Sequence, residues 1–225
     1  MALTERTLQQ FKEMLLSGEL RPGQRLPPEK ELGERLGVSR GSLRETVKAL
    51  EMIRVLDVRR GDGTYVTELQ AQELGEAIGY VLELHQSAAT LEILEVRSVL
   101  EVEIAARSCG RIPAEALAAM QRDIDDVDAS SIESLVEHDF RFHSTIAAYC
   151  GNDYLTSLLA GVSPRTARVR TWRGLEDADA IPRTLREHQS ILDALGRGDV
   201  LGAQAAMRMH LGGVEQWLRS RTAAE

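Results

Sequence analysis

The chain is poor in aromatic residues: Phe, Trp and Tyr make up 4% of its 225 residues. Sandwiches and barrels of β-strands lean on aromatic and β-branched side chains, whereas the Leu, Ala, Glu and Arg that abound here suit helices packed through aliphatic faces. Cysteine is scarce too. Cys109 and Cys150 are the only two, both in apolar helical stretches without CxxC spacing, which points to buried thiols rather than a disulfide framework. No apolar run approaches the roughly 18 residues that a membrane span requires. The first residues follow a polar, amphipathic pattern in place of the apolar core of a secretion signal. These absences predict a mostly α-helical, cytoplasmic protein, built as two domains.

Positive charge is also in short supply, with 27 Lys and Arg against 35 Asp and Glu, a net charge of −8. Spread evenly, that would argue against nucleic acid. Residues 1–70, however, hold 12 Lys and Arg against 11 Asp and Glu, so this segment carries +1 and the other 155 residues carry −9. Any contact with DNA belongs to the front segment.

Leu8, Phe11 and Leu15 recur at the spacing of one helical face, and the pattern stops at Ser17-Gly18. Residues 20–28, with three prolines and Gly23, predict a turn, and Pro28 suits the first turn of the helix that follows. Glu29 to Leu36 reads as a short second helix, broken by Gly37. Ser39 is a good N-cap for a third, reaching about Met52 with Leu43, Val47 and Leu50 buried. Helix, three-residue turn and helix make a helix-turn-helix, whose second helix enters the major groove. The start of that helix carries Arg40, Ser42 and Arg44, and Arg pairs bidentately with guanine. Taken alone, these residues would equally suit a solvated helix face. Residues 55–58 and 64–66 then read as two strands around Arg59-Arg60-Gly61-Asp62-Gly63, a glycine-tipped wing able to approach phosphates or the minor groove.

This segment resembles the GntR family of bacterial regulators. The resemblance is carried by Gly18-Glu19-Leu20, Pro22-Gly23, Leu26-Pro27, Glu29-Lys30-Glu31-Leu32, Leu36-Gly37-Val38-Ser39-Arg40, Leu43-Arg44-Glu45, Leu50-Glu51 and Gly61-Asp62-Gly63-Thr64-Tyr65-Val66. It implies a winged helix-turn-helix DNA-binding domain over residues 1–68, with DNA contacts from Lys30, Ser39, Arg40, Ser42, Arg44 and Gly61. Three positions depart from the family pattern: Lys30 where Arg is commoner, Gly41 where Ser or Thr is usual, and Arg54 where Gly is usual.

Beyond Thr67 the periodicity stays helical. Helices are expected over 69–84, 89–109, 113–127, 131–149, 153–171, 181–196 and 199–219, with Pro164 kinking or splitting the fifth. Asn152 reads as an N-cap. The expected architecture is an all-α antiparallel bundle over 89–221, joined through a linker helix in 69–88.

Asp139 and His143 are spaced i,i+4 on one helical face. His188 and His210 lie on consecutive helices joined near Gly196–Asp199, roughly 12 Å and roughly 16 Å from that turn, so they can sit at nearly the same level. One carboxylate and three imidazoles form a first shell suited to Zn²⁺, and also to Ni²⁺, Mn²⁺ or Fe²⁺. Each histidine alone would as readily be a core or surface residue. His85 and His138 fit no such geometry.

The segments Glu95–Glu101, Asp139–His143, Gly151-Asn152, Glu187-His188 and Met209–Leu211 resemble the ligand-sensing FCD domain of the FadR-type branch of the GntR family. The resemblance implies a divalent ion held by Asp139, His143, His188 and His210, and implies that Arg97 grips the carboxylate of a small organic-acid effector. An ion pair of Arg97 with Glu101 is the alternative for that residue, and Arg165, Arg168 and Arg170 could line the cavity or face solvent. The function implied is a homodimeric regulator, expected to act as a repressor on a palindromic operator. A metalloenzyme using the same four ligands, with Glu187 as a weak general-base candidate, and a regulator with a purely structural metal remain as competing readings.

Overall fold

Ten helices and one two-stranded hairpin make up the regular structure among the residues that the computed structural model describes, 3–84, 90–177 and 179–222. His85 lies outside them. The chain divides into two units, Met1–Ala77 and Ile78–Glu225.

The first unit contains α1 (Leu3–Leu16), α2 (Glu29–Leu36), α3 (Arg40–Met52), β1 (Leu56–Arg59) and β2 (Gly63–Val66). Its core gathers Phe11, Leu20, Leu32, Leu43, Leu50 and Leu56 from every element. Val47, expected in that core, is half-buried against it. Gly37 closes α2 in the left-handed conformation, at φ 65°; its N–H donates to Glu34 O at 3.3 Å, and the Val38 N–H donates to Gly33 O at 3.0 Å. A side chain there would be strained, and the tight turn depends on glycine. Two residues on, the Ser39 hydroxyl accepts from the Ser42 N–H at 3.2 Å and starts α3.

The wing pairs antiparallel in the register Leu56 with Val66 and Arg59 with Gly63. The turn before α2 joins it as an edge: Leu26 N donates to Thr64 O at 2.7 Å and Val66 N to Gln24 O at 2.8 Å. Arg54, just before β1, has φ 60°. That left-handed conformation explains why glycine is the usual residue there.

The second unit is built from helices alone, with α4 (Ala71–Leu84) crossing the boundary between the units. It begins two residues later than expected because Leu69 adopts φ 51°, which no helix can continue. Then come α5 (Thr90–Ser108), α6 (Ala114–Asp125), α7 (Ile132–Ala148), α8 (Asp153–Glu176), α9 (Ala180–Gly196) and α10 (Val200–Thr222). They form a bundle in which α5 packs against α7, α8 and α10, and α9 against α6 and α10. Its core includes Ile104, Phe142, Ile146, Ile191, Met207 and Leu211, each such side chain contributing about 1.5–3 kcal/mol of burial. Asn152 caps α8, its side chain accepting from Leu155 N at 3.1 Å.

Pro164 does not split α8, which runs unbroken to Glu176, five residues beyond its expected end. Proline withdraws only one backbone N–H, the one that would reach Ala160 O, and packing of α8 against α5 and α7 offsets that loss. Trp172 on α8 and Trp217 on α10 meet edge to face, with ring centres 5.2 Å apart.

Candidate functional site

Four ligand atoms from three helices converge inside the second unit. Asp139 and His143 come from α7, His188 from α9 and His210 from α10, and all four are buried, with their ligand atoms within 4.8 Å of one another. His210 Nε2 lies 3.3 Å from Nε2 of both His143 and His188. Asp139 Oδ1 is 3.7 Å from the Nε2 atoms of His143 and His188 and 4.0 Å from that of His210. Ligands about 2.0–2.1 Å from a tetrahedral ion are about 3.3–3.4 Å apart, so this cage needs little adjustment to close on one.

The opposite ring nitrogens support the same conclusion. His210 Nδ1 lies 2.8 Å from Glu187 Oε2, and His143 Nδ1 contacts the Glu101 carboxylate. His188 Nδ1 lies 2.9 Å from His138 Nε2, and His138 Nδ1 in turn lies 2.7 Å from Asp123 Oδ2. Carboxylates hold the protons on the Nδ1 atoms of His210 and His138, and the Glu101 carboxylate lies against Nδ1 of His143. His138 is then left with a bare Nε2 that accepts from His188 Nδ1–H. All three Nε2 atoms face inward, and with the ring protons on the Nδ1 side their lone pairs are available to a cation, so the residues fit a divalent ion. Phe142 stacks on the His188 ring at 4.2 Å and fixes its plane.

His138 is not among the four ligands, as its position led one to expect, but it belongs to the site through His188. It occupies the layer behind the ligands, and its spacing beside Asp139 gave no sign of a partner fifty residues away. Glu101 and Asp123 are further members that the ligand pattern did not reveal. Glu187, the weak general-base candidate, instead orients His210.

Charge follows the same geometry. Burial pushes the Asp139 carboxyl up, but Arg170, whose Nη1 contacts Oδ2, together with His143 and Arg97, holds it well below the usual range. Burial likewise acts against Glu101, yet Arg97 and His143 bring it down to about 2. Burial and the neighbouring His210 hold His188 well below its ordinary value, and burial also lowers His210 against the pull of Glu187. His143 alone is raised, because Glu101 and Asp139 outweigh its burial.

Arg97 is buried with its Nε on Glu101, and its Nη1 donates to Thr166 Oγ1 at 3.0 Å. Only Nη2 is left toward the cage, 3.9 Å from Asp139 Oδ2. The side chains of Arg165 and Arg168 lie outside the described residues.

In the first unit, Lys30, Ser39, Arg40, Arg44 and Gly61 are all exposed. Lys30 and Arg40 line one depression beside the helix-turn-helix turn, together with Gly37 and Val38. Arg44 Nε lies 3.1 Å from Glu29 Oε2, an exposed pair that a phosphate or base can displace. Ser42 differs from the other five: it is buried and its hydroxyl has no hydrogen-bond partner. Its backbone N–H, held by Ser39, is its structural contribution. The wing tip is left-handed at Gly61, φ 78°, with Arg59 over the Tyr65 ring at 4.1 Å.

Two family profiles match this pair of units. Residues 3–66 match the profile described as bacterial regulatory proteins, gntR family, and residues 92–213 match the FCD domain. The chain belongs to the GntR family. This GntR-family chain is 28% identical over 211 residues to the HTH-type transcriptional regulator LutR of Bacillus subtilis, covering 91% of this chain and 96% of that protein. It is 28% identical over 214 residues to the galactonate operon transcriptional repressor of Escherichia coli, covering 92% and 93%. Among solved structures, Streptococcus agalactiae GntR is 28% identical, with a TM-score of 0.63 over 95% of this chain and 99% of that one. Its family and named relatives are transcription regulators, so the GntR chain is a DNA-binding regulator rather than an enzyme, and the metalloenzyme reading falls. Among the described residues, no helix is long and apolar enough to cross a membrane.

Proposed function

We propose that the chain is a repressor that binds a palindromic operator as a homodimer and responds to a small organic acid bound beside a divalent ion. Residues 1–68 read DNA, residues 69–88 link, and residues 89–221 sense. The observation that carries the reading is the inward convergence of three imidazole lone pairs and one carboxylate oxygen, in a chain whose other unit is a helix-turn-helix. Two exposed winged domains related by a twofold axis match two half-sites.

Asp139, His143, His188 and His210 would hold the ion, with zinc favoured by the imidazole-rich set. Bound there, the ion supplies a Lewis-acidic position for a carboxylate or hydroxyl oxygen of the effector. Arg97 Nη2, the part of that guanidinium not engaged by Glu101 or Thr166, lies beside Asp139 and would take the effector's carboxylate. The likeness to a relative named for the galactonate operon favours a hydroxy acid. Effector binding shifts the population of DNA-competent dimers by its differential affinity for the two states.

Binding to the DNA upstream of the chain's own gene, followed by fluorescence anisotropy, tests this reading. The dimer should prefer that duplex over random sequence, and an acid should change its affinity only when metal is present. An acid effect that survives chelation would remove the ion from sensing and leave it structural. Absence of any sequence preference would overturn the reading.

A further inference from the structure

Arg173 on α8 is 3% exposed, yet its Nε and Nη2 have no hydrogen-bond partner. Among the described residues it forms no ion pair, although almost every arginine buried this deeply is matched by a carboxylate. Burial lowers its pKa, against the pull of Glu187 and Asp177. One turn earlier on the same helix, Arg170 contacts Asp139 through Nη1 but leaves its own buried Nε without a partner. Residues spaced i,i+3 share a helix face. Two buried guanidinium groups thus leave three donor nitrogens without partners: Arg170 Nε and Arg173 Nε and Nη2.

The two atoms left free on Arg173 are informative. Nε and Nη2 form one edge of the guanidinium, whose parallel N–H bonds match two oxygens of a carboxylate or phosphoryl group. The neighbouring helix places no side chain against it at Gly213 on α10: even an added methyl there would already touch Nη1 and Nη2 of Arg173 and Glu187 Oε1, each at 3.8 Å. Glu187 itself is taken by His210 Nδ1.

We infer that Arg173, through its Nε–Nη2 edge and with Arg170 Nε beside it, binds an anionic group of the effector distinct from the one at the metal. The inference rests on the effector-sensing reading above and narrows its ligand class. The effector is then a doubly anionic molecule, a dicarboxylate or a phosphorylated acid, with one charged group at the metal and the other at Arg173.

Zinc-loaded full-length protein is titrated with acetate, succinate and inorganic phosphate, and thermal shift gives the affinities. Succinate should bind more tightly than acetate. Arg173→Gln should weaken succinate about tenfold or more, leave acetate unchanged and leave metal content unchanged. Arg173→Lys, which keeps the charge without the fork, should fall between. Phosphate binding that is tight and Arg173-dependent would mark the second group as phosphoryl rather than carboxylate. Equal affinities in wild type and Arg173→Gln, or no dianion binding to wild type, overturn the inference. Should the Gln variant fail to fold, Arg173→Met gives an independent measurement: without ligand it should melt above wild type, because a buried, unpaired charge has gone. A lower melting point would mean that the guanidinium has a partner within the folded chain, and the inference falls. Operator release by succinate that persists in Arg173→Gln would remove the subsite and leave the sensing reading intact. Arg173-dependent binding without any effect on operator affinity would do the reverse.

Discussion

His138 Nε2 lies 2.9 Å from His188 Nδ1, so a residue that does not face the ion site decides which nitrogen of His188 does. Replacing His138 with Phe retains a ring beside Phe142 but removes the acceptor. Metal affinity should fall by about 10- to 100-fold, the usual range for a lost outer partner of a metal-bound imidazole. Competition against a chromophoric chelator measures it. An unchanged affinity would show that packing by Phe142 alone orients His188.

Acid should loosen the metal-free helical unit. Burial, with His210, holds His188 well below 6.5, and burial also lowers His210 and His138 below that value. Above 6.5 these rings are neutral in both folded and unfolded chains, and their contribution to stability is complete. As pH falls below 6.5 the unfolded chain takes up protons that the folded chain refuses, and stability is lost. His143 runs the other way: its raised value makes its contribution complete below 6.5 and lost as pH rises through the folded value. Three rings outweigh one. The thermal midpoint in chelator should therefore drop between about pH 7.5 and about pH 5.5, and a midpoint rising toward acid would contradict the buried, neutral assignment.

The two units can be separated by substitution. Arg40→Ala should weaken operator binding by about 1–3 kcal/mol and flatten its salt dependence, with the metal content unaltered. Ser42→Ala should leave DNA affinity unchanged, because the hydroxyl is buried without a partner and its removal relieves an unsatisfied group. Electrophoretic mobility shift at two salt concentrations distinguishes them. A loss on Ser42→Ala as large as that on Arg40→Ala would return the Ser42 hydroxyl to the DNA interface.

Arg54→Gly should stabilise the winged unit by about 1 kcal/mol, the usual cost of holding a non-glycine residue in the left-handed region. The pair it gives up, Arg54 with Glu76 at 2.9 Å, is more than half exposed on both sides and weakly stabilising. Urea unfolding of the full chain gives the change. A net loss would mean that the ion pair outweighs the backbone strain.

Features that depend on neighbours in sequence were legible before any coordinates. The turn at Gly37, the caps at Ser39 and Asn152, the glycine-tipped wing and the i,i+4 placement of Asp139 and His143 each follow from local chemistry, and the structure contains them all. The convergence of His188 and His210 also followed, since one short turn fixes both arms. What escaped depends on packing between distant segments. His138 acquires its role only when α9 brings His188 against it, and Ser42 is buried by the packing of α3 among α1, α2 and β1. Pro164 signals a break by its own chemistry, but the packing of α8 against α5 overrides it. An arginine left without a partner, as at Arg173, is defined by what three packed helices fail to supply, and no spacing rule encodes that.

The chain has two tryptophans, and both belong to the single edge-to-face pair between α8 and α10. Trp172 immediately precedes Arg173 in the sequence, and Arg221 lies over its ring at 5.4 Å. Indole emission from this protein therefore originates at one place, next to the unpaired guanidinium. Small movements of α8 relative to α10 alter both the ring overlap and the cation above it, so the unlabelled molecule carries its own optical gauge of events along that helix.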